Sequence, residues 1–90
     1  MEEKFLAALA ANREKALALG VRIRPVADLA QAKRFLSGSR PSDGFGDLAA
    51  KKQLKLSLEA LAVDKRYTSL FTDEEANTAL DRLLGAGYMF

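Results

Sequence analysis

Apolar residues recur at helical spacing along most of this chain, broken at a few points by glycine, proline and serine. From Glu2 to Leu19, Phe5, Leu9, Ala16 and Leu19 fall on one stripe, with Leu6 and Leu17 beside it. Glu2 and Glu3 suit the positive end of the helix dipole, and Gly20 is a natural left-handed cap. Val21-Arg22-Ile23-Arg24 then alternates apolar and basic residues, which is the period of an extended segment. Pro25 also biases Arg24 away from helical geometry. A second helix is predicted over 26–36, with Leu29, Ala32 or Lys33, and Leu36 on its stripe and Phe35 adjoining. Ser37-Gly38 ends it, and residues 39–46 read as a loop.

A third helix is predicted from Asp47, a good N-cap, to Asp64. Leu54, Leu58 and Leu61 form one stripe, and Leu56, Ala60, Val63 and Tyr67 form another well round the cylinder. Apolar residues on two faces predict a central helix, buried on both. Leu54, Leu56 and Leu58 also alternate as in a strand, but the surrounding alanines and lysines favour helix. Thr72-Asp73-Glu74-Glu75 is a capping box, with Phe71 placed to staple onto Ala76. The helix that follows should turn Ala76, Ala79, Leu80, Leu83 and Leu84 inward and stop at Gly85 and Gly87. Tyr88-Met89-Phe90 is an apolar tail expected to fold back onto the core. The pattern as a whole predicts one all-α domain over 1–90, a compact bundle of about four helices with residues 21–24 as a short extended segment.

Composition narrows the chemistry. The chain has no histidine, cysteine or tryptophan. Histidine is the side chain that ordinarily titrates near neutral pH and the commonest metal ligand, and cysteine supplies the soft thiolate. Ser37, Ser39 and Ser42 have no histidine to activate them, and no motif supports a serine–lysine pair. Asp73, Glu74 and Glu75 are successive helical positions that point in different directions and complement the dipole. The expectation is a protein without catalytic residues, metal or cofactor.

Charge is close to balanced overall, at +2, but unevenly spread. Residues 13–66 carry about +6 and residues 67–90 about −3. Arg22, Arg24, Lys33, Arg34, Arg40, Lys51, Lys52 and Lys55 are therefore candidate contacts for phosphate or another anion. Phe45, held between Gly44 and Gly46, is a candidate aromatic anchor for a partner, against the alternative that it pins the loop to the core. Tyr88 and Phe90 are further candidate contacts. Leu83-Leu84-Gly85-Ala86-Gly87-Tyr88 resembles the close of a winged-helix recognition helix. However, Asp73, Glu74 and Glu75 put negative charge at the end such a helix aims at DNA, so the segment reads as a capped, packed helix.

No run reaches the roughly 18–20 apolar residues that span a bilayer. Glu2 and Glu3 stand where a signal peptide needs positive charge, so a cytoplasmic protein is expected. These readings favour a non-enzymatic module that binds a protein or a second copy of itself. The alternative is a nucleic-acid-binding regulator using the basic middle, residues 22–66.

Overall fold

The computed structural model describes residues 1–88. Among them are five α-helices and no β-strand. The helices are α1 (Glu2–Ala18), α2 (Leu29–Ser37), α3 (Phe45–Ala50), α4 (Leu58–Ala62) and α5 (Asp73–Gly85), with 3-10 turns at Leu54–Leu56 and Thr68–Leu70. The expected folding back of Met89 and Phe90, and the candidate contact at Phe90, lie outside the described residues.

Two apolar clusters form the core, and α1 spans both. Phe5 near its start packs with Leu36, Leu58, Leu61, Tyr67 and Phe71. Ala16 near its end packs with Val21, Phe45, Leu48, Leu54, Leu56 and Leu83. Those eleven residues of helix separate the two sites by roughly 16 Å at 1.5 Å per residue. The Phe5 ring meets Tyr67 and Phe71 edge-on, with centroids 5.6 and 5.3 Å away, the arrangement that the ring quadrupoles favour. The predicted stripe on α1 is narrower than its leucines imply, because Leu17 and Leu19 are 52% and 41% exposed. On α5, Ala79 and Leu83 are buried but Leu84 is 56% exposed, so only the first member of the leucine pair faces inward.

The helix predicted over 26–36 begins later, at Leu29. Asp28 takes the N-cap, its carboxylate accepting from the Gln31 amide at 2.8 Å, while the Gln31 side chain accepts from the Ala27 amide at 2.8 Å. This reciprocal cap leaves the chain extended as far as Asp28 and lengthens the segment opened by Val21–Arg24.

The single central helix predicted over 47–64 is three pieces. After α3, Lys52 adopts φ 58°, in the left-handed region, and the Gln53 amide donates to the Leu48 carbonyl at 2.8 Å. The chain then forms the 3-10 turn and breaks at Ser57 (φ −75°, ψ 157°). The Ser57 hydroxyl accepts from the Ala60 amide at 3.1 Å and donates to the Leu54 carbonyl at 2.6 Å, closing one element and opening the next. The reason lies in the leucines. Residues two apart on one straight helix point about 200° apart, yet Leu54, Leu56 and Leu58 are all buried. The break sends Leu54 and Leu56 into one cluster and Leu58 and Leu61 into the other. The two-faced pattern is the record of a bent path, and α4 keeps the central position.

The capping box at α5 forms as the sequence predicts. The Thr72 hydroxyl accepts from the Glu75 amide at 3.1 Å and the Glu75 carboxylate accepts from the Thr72 amide at 2.8 Å. Phe71 is drawn into the Phe5 cluster.

Candidate functional site

From Val21 to Ala27 the chain is neither helix nor turn and runs back along α1 as a strap. Gly20, at φ 84°, turns the chain off the helix, and the Val21 amide donates to the Ala16 carbonyl at 2.9 Å. Val21 is buried, Ile23 half-buried, and Arg22 and Arg24 point to solvent, as alternation requires. Gly44 presses against the strap from the other side at φ 76°. A Cβ there would come within 2.8 Å of Ile23 Cγ1 and 2.9 Å of Val21 Cγ1, so only glycine permits this approach. Two arginines fix the strap laterally. Arg13 Nε of α1 donates to the Ile23 carbonyl at 2.6 Å. Arg24 donates to both carboxylate oxygens of Asp43, at 2.8 and 3.3 Å. The hydrogen bonds of Arg24, together with its charge, hold the Asp43 carboxyl below its ordinary value against the opposing effect of burial.

Beneath the strap lies an open, largely apolar cleft of about 90 Å³. Its apolar lining comprises Leu6 and Leu9 of α1, Ile23 and Val26 of the strap, Phe35 of α2, Leu56 and Leu58, with Ala10 and Pro25. Arg13, Arg24, Ser42 and Asp43 supply the polar part of its lining. Neither histidine nor cysteine lines it, and Arg24 and Asp43 bind each other. Its lining is apolar with a few polar groups among it.

A buried polar network stands behind it. Glu59 of α4 is wholly excluded from solvent. Its carboxylate accepts from the Ser42 hydroxyl at 2.5 Å, the Ser42 amide at 2.9 Å and Arg82 Nη1 at 3.2 Å. Arg82 also donates to the carbonyls of Phe35 at 2.9 Å and Gly38 at 2.7 Å. This group joins the end of α2, the following loop, α4 and α5. It places Phe35 and Ser42, which both line the cleft. Its donors and acceptors are matched, and no buried side-chain nitrogen or oxygen among the described residues lacks a partner. Sequence reasoning missed it, because Glu59 lies 17 residues from Ser42 and 23 from Arg82 and no local spacing marks the set.

The residues singled out from the sequence are dispersed. Phe45 opens α3 and is only 7% exposed, so its ring packs into the second cluster instead of projecting. Tyr88 is half-buried against the same cluster. Lys33 is engaged within the fold: its ammonium donates to Glu75 at 2.7 Å and to the Leu70 carbonyl at 3.1 Å, and lies 5.5 Å from the Phe71 ring centroid. Arg22 and Arg24 are brought beside Arg13 along the strap. Lys55 shares a separate shallow groove with Lys15 and Arg66. Arg34, Arg40, Lys51 and Lys52 are exposed and form no ion pair among the described residues. No helix among the described residues is long and apolar enough to cross a membrane.

Fold and site together define a small all-helical domain with an apolar cleft under an extended strap. Comparison with known protein families, with characterised proteins and with solved structures finds no match to this chain.

Proposed function

We propose that this chain is a non-enzymatic interaction module that seats an apolar side chain of a protein partner in the cleft beneath the strap. The observation that carries the reading is the cleft itself. A 90-residue chain buries a smaller share of its surface than a larger one and has little apolar contact to spare. Here leucine, isoleucine, valine and phenylalanine side chains are arranged around open space, while every described buried polar side-chain atom is satisfied. The cleft is a place where a further apolar group gains by leaving water.

Ala10 tests this. It lies on the exposed side of α1 and lines the cleft, so Ala10→Trp fills the opening without entering the core. Peptides selected by display against the immobilised protein should bind A10W at least about tenfold more weakly than the wild type. Failure to select any peptide, or selected peptides that bind A10W unchanged, would refute the proposal.

A second reading has a specific observation behind it. Arg22, Arg34, Arg40, Lys51, Lys52 and Lys55 are exposed and without ion pairs among the described residues, the condition in which cations are available to phosphate. Titration with duplex and single-stranded DNA at about 50 and 200 mM salt decides it, since phosphate binding weakens steeply across that range.

A further inference from the structure

We infer that the partner of the cleft is an extended peptide that places an acidic residue next to the apolar one and lies along the strap as an added strand. This rests on the reading of the cleft above and adds two observations.

The first is the strap's backbone. The amides of Arg22, Ile23, Arg24 and Val26 make no hydrogen bond to any described residue, and the chain there is neither helix nor turn, with side chains that alternate between buried and exposed from Val21 to Arg24. An extended segment with free amides is a template for strand addition. In that mode main-chain hydrogen bonds supply affinity, and a pocket for alternate side chains supplies specificity. The cleft lies beside these residues and is lined by Ile23 and Val26. A free small acid would leave the backbone groups unused; a peptide uses them and the cleft at once.

The second is charge. Of the three guanidiniums along the trough, Arg24 is engaged by Asp43. Arg22 is exposed and makes no hydrogen bond or ion pair among the described residues. Arg13 spends its Nε on the Ile23 carbonyl, which fixes the guanidinium at the edge of the cleft. Its Nη1 has only a distant carboxylate, Glu14 at 3.9 Å, whose own side chain is 72% exposed. The cleft continues past Arg13 and Ile23 into shallower depressions lined by Arg22. A carboxylate one residue along from the seated apolar side chain therefore meets Arg13 or Arg22, in charge-assisted hydrogen bonds with a preorganised donor.

The test is a backbone-amide NMR titration of the full chain with four probes. They are capped tetrapeptides with a central Glu-Leu, Gln-Leu or Glu-Ala pair, and free hexanoate. The Glu-Leu peptide should shift the amides of Leu9, Ile23 and Val26 and slow hydrogen exchange at Arg22 and Arg24, whose amides share the edge opposite the Ile23 carbonyl that Arg13 holds. The Gln-Leu peptide should bind about tenfold more weakly. That preference should shrink in Arg22→Gln and Arg13→Gln, and in the wild type at about 0.5 M salt. Arg22→Gln removes an exposed, unpaired side chain, so it remains informative if Arg13→Gln loosens the strap. Equal binding of the Glu-Leu and Gln-Leu peptides overturns the acidic partner and leaves the cleft reading standing. Unchanged exchange at Arg22 and Arg24 overturns strand addition, and hexanoate binding more tightly than the peptide overturns the peptide assignment. No preference for Glu-Leu over Glu-Ala, or no shift around the cleft with any probe, overturns both readings.

Discussion

Arg82 meets Glu59 at 3.2 Å in the interior, with the carboxylate fully buried and the arginine side chain only 10% exposed. This pair is the point where α4 and α5 are joined to the end of α2 and to the loop carrying Ser42. It links the core to the cleft, because Phe35 and Ser42 belong to both.

Removing one partner leaves the other without its counter-charge in a place that water does not reach. Arg82→Met should therefore destabilise the protein by about 3–5 kcal/mol, a large part of the roughly 5–15 kcal/mol that holds a domain of ordinary stability. Replacing both, as Glu59→Leu with Arg82→Met, removes the stranded carboxylate and should recover part of that loss. Urea unfolding of Arg82→Met, Glu59→Leu and the double variant checks the coupling; a double loss equal to the sum of the single losses would mean that Glu59 and Arg82 act independently.

Phe45→Ala separates packing from recognition. The ring is buried beside Val21, Leu48 and Leu54 in the second cluster, so its removal leaves a cavity. A cost of about 3–5 kcal/mol is expected, lowering the melting temperature by well over ten degrees in a domain this small. A variant that melts normally but no longer binds cleft peptides would assign the ring to the partner surface.

Lys52 and Gly44 make a matched pair of backbone tests. Lys52 is exposed and pays the Cβ penalty of φ 58°, so Lys52→Gly should stabilise by about 0.5–1 kcal/mol. Gly44→Ala should do the reverse, by about 2 kcal/mol or more, since its Cβ collides with Ile23 and Val21 at a left-handed backbone position. Both are read from thermal melts. Gly44→Ala should also weaken peptide binding, because the displaced side chain of Ile23 lines the cleft.

The capping box at Thr72 is legible in the sequence because its geometry is local: four successive residues carry the whole signal. The strap is legible by its alternation, and the all-helical class by the apolar stripes. What escapes is whatever depends on residues distant in sequence. Glu59 looks like an ordinary helix-surface acid until Ser42 and Arg82 arrive from elsewhere. The break at Ser57 is hidden because a stripe on two faces is equally the pattern of one straight buried helix and of two pieces that turn into different clusters. The serine, able to cap, was the available clue. Leu83 and Leu84 show the same limit at one position: neighbours on a helix point about 100° apart, and the pair alone does not say which one will be buried. The cleft was illegible for a further reason, since each of its walls reads as core and only their failure to close makes a site.

Glu75 gives stability a pH dependence of defined sign. Burial would raise its carboxyl, but hydrogen bonds from Lys33 and Thr72, with the lysine's charge, outweigh that and hold it below its ordinary value of 4.5. A carboxyl depressed in the folded state binds fewer protons there than in the unfolded chain. Its stabilisation is thus present above the unfolded value, near 4.5, and is lost as pH falls through the folded one. Asp43 and Asp64, depressed by Arg24 and Arg66, act with the same sign, so the wild-type acid limb alone does not isolate Glu75. The difference between wild type and Glu75→Gln does. Glutamine keeps an oxygen for the Thr72 amide but removes the charge facing Lys33. The stability gap between the two should be greatest near about pH 7 and should close as pH falls well below 4.5. Lys33→Met should move the Glu75 carboxyl upward in an NMR titration and shrink the share of stability that Glu75 loses in acid. A gap that stays constant from neutral pH into acid would show that the charge on Glu75 contributes nothing to the joint between α2 and α5.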